Sequence, residues 1–235
     1  ATGSSDGRVR LIASAGGAVV RTLAGLKGTI TSVAFSANTT TVAAGNNQGK
    51  VRLWNVADGA LLGELAVHAG NVTGVALHPD GKRLITAGAD GTWKLWTLPL
   101  PKPGETSETK PTLMTTAHAG GVTAIRLATD GAQLLTGGAD KLVKLFSLTG
   151  KLLRSYPGHT AAVRSVDFSA DRVIAGGDDE TVRSWIRANG TVGPVTTLPG
   201  RIHSLAIDAG GQRAAAAVEN GTLRIIDLAG GSELE

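Results

Sequence analysis

An all-β fold built from repeated four-stranded antiparallel sheets is predicted by three features of the sequence. Short apolar runs of strand length alternate with turn clusters: Val72 to Leu77, the turn His78-Pro79-Asp80-Gly81, Leu84 to Ala87, the turn Ala89-Asp90-Gly91, then Thr92 to Trp96. Equivalent third strands end at Ile12, Trp54, Trp96, Phe146, Trp185 and Ile226, at intervals of 42, 42, 50, 39 and 41 residues. The 33 glycines are spread evenly along the chain, as expected if every short strand ends in a turn.

In chain order, Asp6 to Ile12 has the register of Asp90 to Trp96, so the first unit opens on a third strand and Gly17 to Leu23 is its fourth, a half-unit over residues 6–25. Units of about 28–67, 68–117, 118–158, 159–199 and 200–235 follow, the last with three strands: Ile202 to Ile207, Ala214 to Val218 and Leu223 to Asp227. Leu234 and Glu235 are set outside the fold. The interval of 50 holds an insertion, Thr97 to Thr112, rich in Pro, Thr and charge, expected to be an extended surface loop too polar to pack.

The stretch from His68 to Trp96 resembles a WD40 repeat, with His ahead of an apolar strand, a Pro-Asp-Gly turn, a small-residue strand, an Asp turn and a strand ending in Trp. Thr97 stands where the family carries its final Asp. The resemblance implies a WD40-type β-propeller of four-stranded antiparallel blades, about five repeats plus an N-terminal half-repeat, cut from a larger WD40 protein. It further implies a hydrogen-bonded structural tetrad of His68, Thr86, Asp90 and Trp96. His118, Thr136, Asp140 and Phe146 match in the next repeat, where Phe keeps the bulk of Trp without its N–H donor. His159, Asp179 and Trp185 match in the one after, with Ala175 in the hydroxyl slot. Leu26, Ala44 and Gln48 take the His, hydroxyl and Asp slots of the repeat ending at Trp54, which should therefore lack the tetrad.

The formal charge of +4 raises nucleic acid as a partner, but Arg10, Arg52, Lys94, Lys144, Arg183 and Arg224 share one slot of the repeat, their heads expected in solvent. The other cations form no run, so nucleic acid is not expected as a partner. No apolar run reaches the roughly 18 residues of a membrane helix, so no membrane contact is expected. Without Cys the chain has no thiolate metal site and no disulfide. His68, His118 and His159 recur with the repeat, which favours a structural role; His78 falls in an exposed turn slot, and His203 lies outside the repeat slot. Patterns such as HExxH, GxSxG or a Walker loop do not occur, so no catalytic set, metal or cofactor is expected. The triplets beginning at Asn38, Asn71, Asn189 and Asn220 fit the N-glycosylation rule, two of them as Asn-Gly turns.

By resemblance the function is noncatalytic binding of a protein or peptide, on the face built from the loops before the first strands and between the second and third. Those loops supply Lys27, Asn71, Arg164, Asp178, Arg201 and His203, and Arg164, Asp178, Arg201 and His203 are the candidate partner-binding set. An accessory propeller of a larger enzyme and a purely architectural ring are the alternatives. Incomplete terminal units leave open edges, so pairing of copies into a homo-oligomer through them is expected.

Overall fold

The computed structural model describes residues 1–105 and 109–234. Residues 106–108, within the predicted insertion, and residue 235 lie outside the described residues. The chain divides into two compact units, Ala1–Thr116 with Thr129–Gly131, and Ala117–Ala128 with Ala132–Glu235.

In the first unit, the first sheet is β1 (Thr2–Gly3), β2 (Val9–Ile12) and β3 (Val19–Leu23). The second is β4 (Ile30–Phe35), β5 (Thr41–Asn46), β6 (Lys50–Asn55) and β7 (Leu61–Ala66), and the third β8 (Val72–Leu77), β9 (Arg83–Gly88), β10 (Thr92–Thr97) and β11 (Leu113–Thr116). The second unit holds the fourth sheet, β12 (Val122–Leu127), β13 (Gln133–Gly138), β14 (Val143–Ser147) and β15 (Leu152–Tyr156). The fifth sheet is β16 (Val163–Phe168), β17 (Arg172–Gly177), β18 (Thr181–Ile186) and β19 (Val192–Thr197), and the sixth β20 (Ile202–Ile207), β21 (Arg213–Val218), β22 (Leu223–Asp227) and β23 (Glu233–Leu234). All pairings are antiparallel between sequence neighbours, as short turns permit.

Within each unit the sheets stack face to face. Ala43, Val51 and Leu53 of the second sheet lie against Val72, Val75, Leu77, Leu84 and Trp96 of the third. Leu135, Val143 and Leu145 of the fourth lie against Val163, Val166, Val173 and Trp185 of the fifth, whose Ile174 and Val182 in turn meet Ile202, Leu205 and Ile226 of the sixth. Each such fully buried aliphatic side chain contributes about 1.5–3 kcal/mol. The close approach depends on glycine in the second strand: a Cβ on Gly176 would sit 2.5 Å from Ile202 Cγ2, and one on Gly137 2.7 Å from Val163 Cγ1. First strands are also joined across sheets, since Thr31 Oγ1 donates to Val72 O (2.5 Å), Thr123 Oγ1 to Val163 O (2.5 Å), and the amides of Leu205 and Ile207 donate to Ser165 Oγ and Asp167 Oδ2 (both 3.0 Å).

Three features differ from the sequence-based expectation. The first sheet carries a strand ahead of the expected opening one, Thr2 pairing with Arg10 and Gly3 with Val9. The sixth sheet has a fourth strand, Leu234 pairing with Ile225 and Glu233 with Ile226. Both added strands are two residues long, too short to show an alternation. The insertion also packs: Leu100 is buried in the core between the second and third sheets, and Glu64 N donates to Pro101 O at 2.8 Å. Gly63 makes room for it, because a Cβ there would strike Leu100. The Pro and charged residues of the insertion hid one well-placed leucine.

Candidate functional site

The polar interior of the third sheet is one directional chain. Trp96 Nε1 donates to Thr86 Oγ1 (2.9 Å), Thr86 Oγ1 to His68 Nε2 (2.9 Å), and His68 Nδ1 to Asp90 Oδ2 (2.9 Å). Every group is satisfied only if the imidazole is neutral and protonated on Nδ1. Burial accordingly lowers the His68 pKa. Burial would raise the Asp90 carboxyl, but donation from Thr92 and His68 outweighs it and holds Asp90 at about 2. Gly88 is required here, because a Cβ would strike the His68 ring.

Substitution at each member has a local consequence. In the fourth sheet His118 bonds Asp140 and Thr136, both at 2.7 Å; with Phe146 supplying no donor, Thr136 Oγ1 also reaches Lys144 O at 3.3 Å. In the fifth, His159 Nδ1 meets Asp179 at 2.9 Å, but Ala175 offers no hydroxyl, and both His159 Nε2 and Trp185 Nε1 are buried without a protein hydrogen-bond partner. In the second sheet Leu26 is buried in the His slot and Asn46 stands in the glycine slot. Its Nδ2 donates to Lys27 O (2.5 Å), and its Oδ1 accepts from the amides of Gln48 (3.1 Å) and Lys50 (2.7 Å), closing the turn that an Asp closes elsewhere. Leaving out the imidazole makes room for that Asn; the coincident loss of His and Gly was the signal in the sequence.

Two further expectations are corrected. The slot cations do not all reach solvent: Lys94 Nζ donates to Val67 O (2.6 Å) and Lys144 Nζ to Ala117 O (2.5 Å), tying the incoming loop to the third strand. A flexible ammonium turns inward because the carbonyl and the nearby Asp supply an acceptor and a counter-charge. His78 is buried instead of exposed, with Nε2 against Gly131 O (3.2 Å) and Nδ1 accepting from Asp80 N (3.1 Å). The turn at residues 129–131, distant in sequence, covers it.

Loops before first strands and turns between second and third strands share one rim, as the amides of Asp178, Leu198 and Glu219 donate to the carbonyls of Ala162, Glu180 and Arg201. In the second unit this rim gathers the charged candidates. Arg164 Nε and Nη2 grip Asp178 at 2.8 and 2.5 Å; that hydrogen-bonded pairing, with the charges of Arg201 and His203 adding to it, lowers the Asp178 pKa. Arg201 and Glu219 stand 3.9 Å apart, both about half exposed. A bulge recurs at the second residue of each four-stranded sheet's first strand, and it presents Thr31, Thr73 and Thr123 in three sheets but Arg164 and His203 in the fifth and sixth. The adjoining turn needs a left-handed residue, which is Gly49, Gly91 and Gly221 in three sheets but Lys141 (φ 70°) and Glu180 (φ 62°) in the fourth and fifth. These two exposed charges, missed in the sequence reading, were marked by their place in an Asp-Gly turn.

The repeats are those of a known family: the chain matches the WD40 family (WD domain, G-beta repeat) over residues 17–55, 59–97, 109–147 and 150–185, and belongs to it. Each matched stretch straddles two sheets, 17–55 joining β3 of the first to β4, β5 and β6 of the second. Among curated proteins, the chain is similar to ribosome biogenesis protein YTM1 of Eremothecium gossypii, 42% identical over 77 residues, which cover 32% of this chain and 17% of that protein. It is also similar to the U3 small nucleolar RNA-associated protein 15 homolog of Xenopus tropicalis, 48% identical over 48 residues, covering 19% of this chain and 9% of that one. The aligned stretches thus span less than a fifth of either relative. Among the described residues no group of His, Cys, Asp or Glu could hold a metal ion.

Asp90→Ala is expected to destabilise the protein by about 1–3 kcal/mol in urea unfolding, because His68 Nδ1–H loses its acceptor. Gln48→Ala, at the same slot of a sheet whose turn Asn46 closes, is expected to change stability by less than about 0.5 kcal/mol; equal losses would refute the different roles. Ala175→Thr is expected to stabilise by about 1 kcal/mol by giving His159 and Trp185 their missing partner, and a loss instead would mean that the site cannot take the side chain.

Stability should depend on pH in two steps. Burial lowers the folded pKa of His68, His118 and His159 below the ordinary 6.5, so their contribution is complete above that value and is lost as pH falls below it. A second loss follows below the ordinary Asp value of 3.8, running down to about 2 for Asp90. Urea midpoints at neutral and mildly acidic pH check the first step; equal midpoints would mean the rings are not held neutral.

Proposed function

We propose that this WD40 chain is a noncatalytic scaffold that binds a protein or peptide through the rim of its second unit, at Arg164, Asp178, Arg201 and His203. The bulge carries this reading. In the second and fourth sheets the bulged threonine is spent on a bond to the next sheet, whereas in the fifth and sixth the same position holds exposed Arg164 and His203, each on a backbone irregularity that fixes its direction. Lys141 and Glu180 support it, since each keeps a left-handed conformation that disfavours a side chain by about 1–2 kcal/mol and that glycine adopts in the other turns. The surface is of mixed charge and suits a polar segment carrying both signs.

The two curated relatives are named for ribosome biogenesis and for association with U3 small nucleolar RNA. Those names support a role in assembling large complexes. Protein is favoured over direct contact with RNA because Lys94 and Lys144 are tied to backbone carbonyls and Arg164 is neutralised by Asp178. Replacing Arg164 and Arg201 together with Ala is expected to reduce recovery of partners in pull-downs from the source extract, with circular dichroism and the thermal midpoint unchanged. Unchanged recovery of every partner would remove this face, and turnover of a small substrate by the purified protein would overturn the noncatalytic reading.

A further inference from the structure

Two residues past Trp54, Trp96, Phe146, Trp185 and Ile226 stand Val56, Leu98, Leu148, Arg187 and Leu228, so one charge replaces an apolar side chain in a slot of the repeat. The slot is the same in each sheet, since the five backbone amides donate to Thr40, Lys82, Ala132, Asp171 and Gln212 carbonyls of the turns between first and second strands. Leu148 and Leu228 are buried there. Arg187 packs instead with the face of its guanidinium, Cζ lying 4.5 Å from the centre of the Phe168 ring. Its Nη1 donates to Ser169 O (3.0 Å) and its Nη2 to Gln133 Oε1 (2.6 Å). Arg154 comes to the same place from β15, Nη1 donating to Asn189 O (2.8 Å) and Nη2 to Ala188 O (2.9 Å). With Gln133, Leu153 and Ala170 the two arginines line a cleft of about 310 Å³ between the fourth and fifth sheets, at the strand ends opposite the rim that carries Arg164.

Charge sets this cleft apart. Arg52, Arg126 and Arg164 each meet a carboxylate, that of Glu64, Asp167 and Asp178. The acceptors of Arg154 and Arg187 are all neutral, backbone carbonyls and one side-chain amide, so both positive charges stay uncompensated among the described residues. Each guanidinium spends two N–H donors on these bonds and keeps the rest. Both fields reach Tyr156, whose hydroxyl donates to Arg187 O (3.0 Å): burial raises its pKa, and the two guanidinium charges oppose the rise. We propose that the cleft binds a phosphate monoester, that of a phosphorylated serine or threonine in a partner protein. Such a group brings a charge of about −1.5 to −2 and three strong acceptor oxygens, matching two held guanidiniums, whereas the phosphodiester of a nucleic acid brings a single charge and fewer free oxygens. Leu153, 40% exposed on the outer strand of the fourth sheet, offers the neighbouring residue of a peptide an apolar contact that free phosphate would not use. The equivalent groove of the first unit shows what the slot decides. There Arg21 holds Ala57 O and Asp58 O as Arg154 holds Ala188 O and Asn189 O, but Val56 stands in place of Arg187 and the lining is largely apolar.

Nuclear magnetic resonance of the full chain tests this by following the backbone amides of Ala170, Arg187 and Ala188. The probes, at one ionic strength, are the blocked tripeptide leucine-phosphoserine-leucine, its unphosphorylated form, inorganic phosphate and an RNA dinucleotide. The phosphorylated peptide is expected to shift these amides saturably and to bind about tenfold or more tightly than each of the others. Arg154→Gln is expected to weaken that binding about tenfold or more through loss of a charge-assisted contact. Leu153→Glu, which sets a carboxylate in the cleft and leaves both arginines in place, is expected to abolish it, and Leu153→Gln to weaken it by no more than about threefold. Equal affinity for the phosphorylated and unphosphorylated peptides would overturn the inference. So would tighter binding of inorganic phosphate or of the dinucleotide, undiminished binding by Leu153→Glu, or a Leu153→Gln variant that has the native circular dichroism spectrum yet binds as poorly as Leu153→Glu.

Discussion

The first strand of one sheet packs on a backbone without a side chain in the sheet before it. Val163 lies over Gly137 and Ile202 over Gly176, and neither apposition would survive a Cβ. A four-stranded sheet has no core of its own, so its stability is that of its contacts with its neighbours. Everything else in each unit is arranged so that these contacts can form, including the hydroxyl and carboxylate bonds that join one first strand to the next and fix the depth at which each sheet sits.

A buried polar chain accompanies that packing, and it varies in a physically ordered way. The intact version in the third sheet has one consistent direction of donation from indole to carboxylate. Where a member is lost, the remainder is either re-satisfied or left unpaired. Asn46 takes over the turn once the imidazole is gone, whereas Ala175 leaves two ring nitrogens without a protein partner. Unpaired buried donors and acceptors cost more than neutral replacement of a whole network. The second sheet, which shed His, hydroxyl and Asp together, is thus the better-resolved departure from the pattern, and the fifth the strained one.

The repeat period, the strand order and the His-Asp partners were legible because each depends on residues within one repeat, and a periodic signal reinforces itself. The departures came from contacts distant in sequence. Leu100 reaches back to Gly63, and residues 129–131 cover His78. The inward turn of Lys94 depends on the carbonyl of Val67. Composition marked these segments as solvent-facing, and composition says nothing of what a loop folds against.

The candidate site divides in the same way. Arg164, Asp178, Arg201 and His203 could be named from their place in the repeat, because loops that follow the same strand end on the same rim. That Asp178 grips Arg164, and that Arg164 and His203 sit on bulges where other sheets carry threonine, was decided only by strand register in three dimensions. Sequence alone determined the repeating unit, its longer strands and its His-Asp partners, since these follow from local alternation and turn chemistry. Tertiary structure decided which charges are consumed internally and which are held outward, because each of those depends on what a neighbouring strand or sheet brings within reach.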